Sequence, residues 1–139
     1  MQQGYAAYRQ TTVDTADQGK LILIAYDVAI KNCKLAMEKF DVREKMEERT
    51  KHLFKAQDAI TELLGALKLE VGEVAKNLYK LYEYMLRSLV DASVKNNCGK
   101  VAEVLKYLET LREAWDEAIK KLKTEAASGI ETGNVAVLG

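Results

Sequence analysis

Proline is missing from this chain of 139 residues, which also holds a single histidine, two cysteines and one tryptophan. Without proline, no ring clash or missing N–H has to interrupt a helix. The lone His52 has Arg49 three residues before it, so the paired Glu-x-x-His ligands of a carboxylate-bridged metal bundle cannot be assembled. Cys33 and Cys98 are far apart in sequence. Reduced thiols in a cytosolic protein are the plainer reading, with one disulfide as the alternative. Lys+Arg and Asp+Glu balance at 21 each, for zero net charge. That removes the electrostatic footprint of a nucleic-acid binder, and no basic block suggests an anionic membrane surface. The longest apolar run is about half of the roughly 20 residues a membrane span needs. The opening residues, Met1 to Tyr5, lack the charged and apolar regions of a secretory signal. No Gly-rich phosphate loop is present, and Ser88, Ser93 and Ser128 sit in no nucleophile-elbow pattern. No metal, cofactor or catalytic centre is expected.

What remains is helical periodicity. Breaker-free stretches with a 3.6-residue period predict an all-α protein of four long helices. The first starts at Thr15, where Thr15 and Gln18 have the spacing of a capping box, and runs to about Lys39. The second follows Asp41, with Glu44 completing a second box, and runs to about Leu67. Its apolar positions are Val42, Met46, Leu53, Ile60, Leu64 and Leu67. The third spans about Gly72 to Lys95 through Val74, Leu78, Leu81, Tyr82, Met85, Leu89 and Ala92. The fourth follows Asn96-Asn97 to about Thr124, with a stripe from Val101 to Leu122 that includes Leu108 and Trp115. Short connections make sequential helices antiparallel neighbours, so the predicted fold is an antiparallel up-down four-helix bundle with a short N-terminal cap segment. The expected organisation is a flexible segment over 1–14, the bundle over 15–125 and a flexible tail over 126–139.

The first helix has more apolar surface than one core can use. On a wheel, Ile22, Tyr26, Ala29, Ile30, Cys33, Ala36 and Met37 form a core stripe. Leu21, Ile24, Val28 and Leu35 form a second stripe, with Ala25 between the two. The third helix repeats the theme with an apolar shoulder at Tyr79, Leu86 and Val90. A helix apolar on two faces must have both covered, by its own chain, a second copy or a partner. The flank before Thr15 is polar and carries Tyr5 and Tyr8. Such a segment suits a removable plug over an apolar groove. The candidate partner-binding residues are therefore Tyr5, Tyr8, Leu21, Ile24, Ala25, Val28, Tyr79, Leu86 and Val90.

Other residues read as structural. His52 lies at the edge of its helix's polar face and is expected to be solvated. Cys33 sits on the core stripe as a small apolar side chain. Cys98 opens the fourth helix, where the helix dipole could lower its pKa. Arg112, near Trp115, is expected to pack its stem on aromatics, or else to pair with a neighbouring helix. Lys45, Glu47, Glu48, Lys51, Lys55, Asp58 and Glu62 make a solvated outer face on the second helix.

An ordered set of short segments adds to this reading. Tyr8, Val13-Asp14-Thr15-Ala16 and the run Leu21 to Ile30 are followed by Lys55 to Leu63, Leu81-Tyr82-Glu83-Tyr84-Met85 and Leu111-Arg112-Glu113-Ala114-Trp115. Together they resemble the flagellar secretion chaperone FliS family in composition and order. Asp17 stands where that family favours proline, and Val28 where it favours glycine. The resemblance implies a four-helix bundle in the bacterial cytosol that binds the disordered C-terminal segment of flagellin and prevents premature polymerisation before export. It implies that the chaperone's own N-terminal segment can occupy part of that surface. It also brings flagellar export-gate components into view as partners, and a monomer rather than a homodimer. The alternative from a different class is a structural helical module that homodimerises through the extra apolar stripe.

Overall fold

The computed structural model describes residues 15–67 and 72–128. Four helices account for nearly all of them: α1 (Thr15–Met37), α2 (Met46–Ala66), α3 (Glu73–Val94) and α4 (Cys98–Ser128). A single 3-10 turn, Arg43–Lys45, leads into α2. The expected order and antiparallel course hold. Along α1 and α4, Gly19 meets Ile119, Asp27 meets Arg112, and Met37 meets Cys98, so the two run in opposite directions. Asn32 meets His52 across α1 and α2, and Tyr84 meets Glu103 across α3 and α4. Each helix packs on two neighbours, with α1 and α3 on one diagonal and α2 and α4 on the other.

Helix ends depart modestly from the periodicity. Asp41 does not cap α2. The chain turns through the 3-10 segment first, and neither that turn nor α2 receives a side-chain cap. Met46 and Val74 belong to the apolar pattern of α2 and α3 but are exposed, each in the first turn of its helix. α4 continues to Ser128, so residues 126–128 are helical where the tail was expected to begin.

The core runs the length of the bundle from Tyr26, Cys33 and Ala36 through Leu53, Ile60, Tyr82, Met85 and Leu89 to Val101, Val104 and Leu108. At its centre the Tyr26 and Tyr82 hydroxyls share a hydrogen bond of 2.6 Å across the α1–α3 diagonal. Burial drives both pKa values up, so both phenols stay protonated and the bond persists. Gly19 marks the close approach of α1 to α4. A Cβ there would come within 2.8 Å of Ile119 Cδ1, which accounts for a residue that otherwise weakens a helix interior.

One end of the bundle is tied by an arginine. Arg49 is only 3% exposed. Its guanidinium lies over the Phe40 ring at 4.4 Å and donates to Asn96 Oδ1 at 2.7 Å. Phe40 belongs to the α1–α2 connection. Asn96 lies in the α3–α4 connection and adopts a left-handed φ of 52°, a conformation asparagine tolerates better than most residues.

Candidate partner-binding surface

The predicted stripes on α1 separate as the wheel requires. Tyr26, Ala29, Cys33 and Ala36 are fully buried, with Ile22, Ile30 and Met37 half-buried against them. Directly opposite, Ile24 is 48% exposed and Val28 40%. Leu21 and Leu35, at the two ends of the same strip, are half-buried. The strip is bordered by polar groups that are already paired. On the α4 side Arg112 holds Asp27 through both carboxylate oxygens, at 2.6 and 3.3 Å, and Lys34 pairs with Glu109 at 3.6 Å. The carboxylate raises the Arg112 pKa. Arg112 thus takes the second of its two expected readings, as an interhelical pair. On the α2 side the Asn32 amide donates to the Val28 carbonyl at 2.9 Å, leaving Oδ1 to face His52 Nδ1 at 2.9 Å. His52 must therefore carry its proton on Nδ1. It is half-buried and hydrogen-bonded rather than simply solvated, and burial together with Lys39 and Lys55 lowers its pKa.

Towards its start the α1 strip borders a shallow recess open to solvent. Leu21, Ile22 and Ala25 of α1 and Leu63 and Ala66 of α2 line it, with Gln18 and Glu62 beside them. Two alanines stand where larger residues would fill the seam between the helices.

The α3 shoulder is also on the surface. Tyr79 and Val90 are exposed, and Leu86 is half-buried against the core. These three lie on the margin of α3 towards α2, since Tyr84 on the opposite margin donates to Glu103 of α4 at 2.8 Å. Phe54 of α2 is 58% exposed on the outer side of its helix. With Arg49 bonded to Asn96, the antiparallel register brings Phe54 about level with Val90. The candidate residues therefore form two groups, one along α1 with the recess and one along the α2–α3 seam. They lie on different sides of the bundle, because α1 and α3 are diagonal. Tyr5 and Tyr8 lie outside the described residues.

Three features escaped the sequence pattern. Phe54 is a single aromatic beside the core residue Leu53 and amid charges, and only its wheel position away from Leu53 and Ile60 distinguishes it. Arg49 gave no sign of burial, since its partners come from distant connections. Cys98 behaves opposite to the dipole expectation. Partial burial raises its pKa, the Asp41 carboxylate adds to the rise, and the thiol leans on the Met37 carbonyl at 3.9 Å. Burial pushes Cys33 up to about 12, consistent with an inert core thiol. Among the described residues no helix is long and apolar enough to cross a membrane, and no group of three His, Cys, Asp or Glu could hold a metal ion.

Comparison with known proteins bears on what such a surface serves. The family described as "Flagellar protein FliS" matches residues 1–122. The flagellar secretion chaperone FliS of Bacillus subtilis (strain 168) is 38% identical over 120 residues, covering 86% of this chain and 89% of the relative. Its counterpart from Salmonella typhimurium is 31% identical over 125 residues, with 85% and 91% covered. That from Campylobacter jejuni is 32% identical over 115 residues, with 81% and 88% covered.

Proposed function

The chain belongs to the FliS family of flagellar secretion chaperones, and from that premise we propose that it binds the disordered C-terminal segment of flagellin in the bacterial cytosol and keeps it from polymerising before export. The observation that carries this reading is the apolar strip on α1. That helix already gives one full face to the core, so Ile24 and Val28 add nothing to folding by standing in water. A disordered ligand laid over the strip as a helix would bury them, in the manner of an amphipathic helix in a groove. Ordering the ligand consumes part of the interaction energy, so a large contact area is needed. The second exposed group, Tyr79, Leu86 and Val90, extends that area to another side of the bundle.

In this reading the bundle over 15–125 is the binding body, and Leu21, Ile24, Ala25, Val28, Tyr79, Leu86 and Val90 form the ligand surface. The segment 1–14, through Tyr5 and Tyr8, covers part of the surface until the ligand arrives. Export-gate components receive the loaded complex. The protein works as a monomer without cofactor or catalysis. The test is co-purification with full-length flagellin and with flagellin lacking its C-terminal segment. Retention of the first and loss of the second is the expected result. Equal retention of both places the binding elsewhere. A stable dimer by light scattering that fails to bind either form means the strip is a homodimer seam.

A further inference from the structure

The two ring nitrogens of His52 are used unequally. The Asn32 amide donates to the Val28 carbonyl one turn back on α1, which turns Asn32 Oδ1 towards α2. His52 Nδ1 meets that oxygen at 2.9 Å. An amide oxygen accepts and never donates, so Nδ1 holds the proton and Nε2 keeps a bare lone pair. Nothing among the described residues bonds Nε2, and it stays open to solvent. The first bond pins the asparagine and the second fixes the tautomer. Together they present a neutral acceptor at the margin of the apolar strip. We propose that His52 Nε2 is a specificity contact of the α1 ligand surface, accepting a hydrogen bond from a hydroxyl or side-chain amide of the ligand that covers Val28. The proposal rests on the reading of the α1 strip as a ligand surface.

Position allows it. Asn32 follows Val28 by one turn, so the imidazole stands about 5 Å along the axis from the exposed valine, on its α2 side. A ligand helix is about 10 Å across with its side chains, so one resting on Val28 also covers this margin. An apolar strip alone discriminates poorly, because it takes any aliphatic side chain of suitable size. A fixed acceptor beside it does discriminate. A ligand without a donor there strips water from the lone pair and leaves it unpaired. Charge narrows the choice of donor. The charged groups acting on the ring are Glu38 and Lys39, which follow α1, and Glu48 and Lys55 of α2. Burial first, then Lys39 and Lys55, lower the His52 pKa against the two opposing glutamates. The ring is therefore neutral near pH 7 and remains an acceptor. The same two lysines disfavour an ammonium or guanidinium donor, and an ionised carboxylate has no proton to give. What fits is a neutral donor, from Ser, Thr, Asn or Gln.

The chain has a single histidine, so nitrogen-15 labelling of the full chain gives one imidazole pattern. Long-range proton–nitrogen NMR, recorded alone and with an unlabelled flagellin C-terminal peptide, tests the contact directly. The free protein is expected to show the Nδ1–H tautomer, and bound peptide is expected to move Nε2 as a nitrogen that accepts a hydrogen bond. An Nε2–H tautomer in the free protein overturns the proposal, and so does an Nε2 that bound peptide leaves unmoved. Peptide titrations on the wild type, His52→Leu and His52→Gln read the consequence. At neutral pH the Leu variant is expected to bind about three- to tenfold more weakly. The Gln variant, whose amide oxygen can stand near the place of Nε2, should regain most of that loss. Protonation takes the lone pair, so the bound state keeps the ring neutral. Wild-type affinity is then full above the folded pKa and falls as the pH drops through it, a loss the Gln variant should not share. A peptide that binds all three forms alike, with parallel pH profiles, overturns the contact alone. A peptide that binds no form at any pH overturns the flagellin reading and the contact with it.

Discussion

α1 and α2 are antiparallel neighbours of similar length, yet they spend their outer faces differently. α2 faces water with Lys51, Lys55 and Asp58, and apart from Phe54 and the terminal Met46 its large apolar residues point inward. α1 points Ile24 and Val28 outward behind a face already committed to the core. Both helices form and both pack, so the outer isoleucine and valine are not a requirement of folding. α1 also faces water with Lys20, Asp27, Lys31, Lys34 and Glu38, but it sets Ile24 and Val28 beside them, and it is this added apolar pair that the proposed ligand would cover.

The largest effect expected on this contrast comes from the inside of α2. Ile60 is fully buried, and Ile60→Ala should lower stability by about 2–5 kcal/mol in a denaturant melt. An unchanged midpoint would mean the α2 face is looser than its burial indicates. On α1 the outer face should behave in reverse. Ile24→Lys should change stability by no more than about 0.5 kcal/mol, as for an exposed site, yet weaken a flagellin C-terminal peptide by about tenfold or more, since a charge would be trapped under the ligand. Unfolding of this variant would show that both α1 faces are structural. Beside the strip, the Asp27–Arg112 pair is partly exposed on both sides. A double-mutant cycle with Asp27→Ala and Arg112→Ala should give a coupling of about 0.2–1 kcal/mol. A larger value would make this border a main tie between α1 and α4. The smallest effect belongs to His52. Its folded pKa lies below the ordinary value of about 6.5, so the native state binds fewer protons than the unfolded one. Its contribution is fully present above about pH 6.5 and lost as the pH falls through the lower, folded value. Stability should dip slightly on acidification, and His52→Gln should flatten that part of the curve.

The four helices, their order and the core stripe were readable because each is a repeating signal summed over many residues. The exposed strip was readable for the same reason. On α1 the pattern 21, 24, 28, 35 returns to one face whatever the neighbours do, and the structure leaves its centre in water. Single-residue outcomes were less legible. Whether Arg49 is buried depends on Phe40 and Asn96, which lie on other connections. Asp41 has the spacing of a cap, but the chain makes a 3-10 turn and finds no use for it. Met46 and Val74 fit their stripes, yet both stand exposed in the first turn of their helices. The recess was not readable at all, since it arises from Ala25 and Ala66 meeting across two helices that periodicity treats separately.

The stacking of Arg49 on Phe40, with its bond to Asn96, sets how the molecule breathes. Withdrawing either connection exposes an aromatic ring and strips a nearly buried cation of its hydrogen bond, while its Nε already has no hydrogen-bond partner. Opening at that end therefore adds about 1–3 kcal/mol for the stripped cation, and the amides of Lys39 and Asn97, bonded to the Ala36 and Ala92 carbonyls, should exchange more slowly than bonded amides at the other end. At the opposite end the seam between α1 and α2 is open to solvent, so partial openings are expected to start there. The free energy of opening is graded along the bundle axis, with the yielding end on the side where the recess lies.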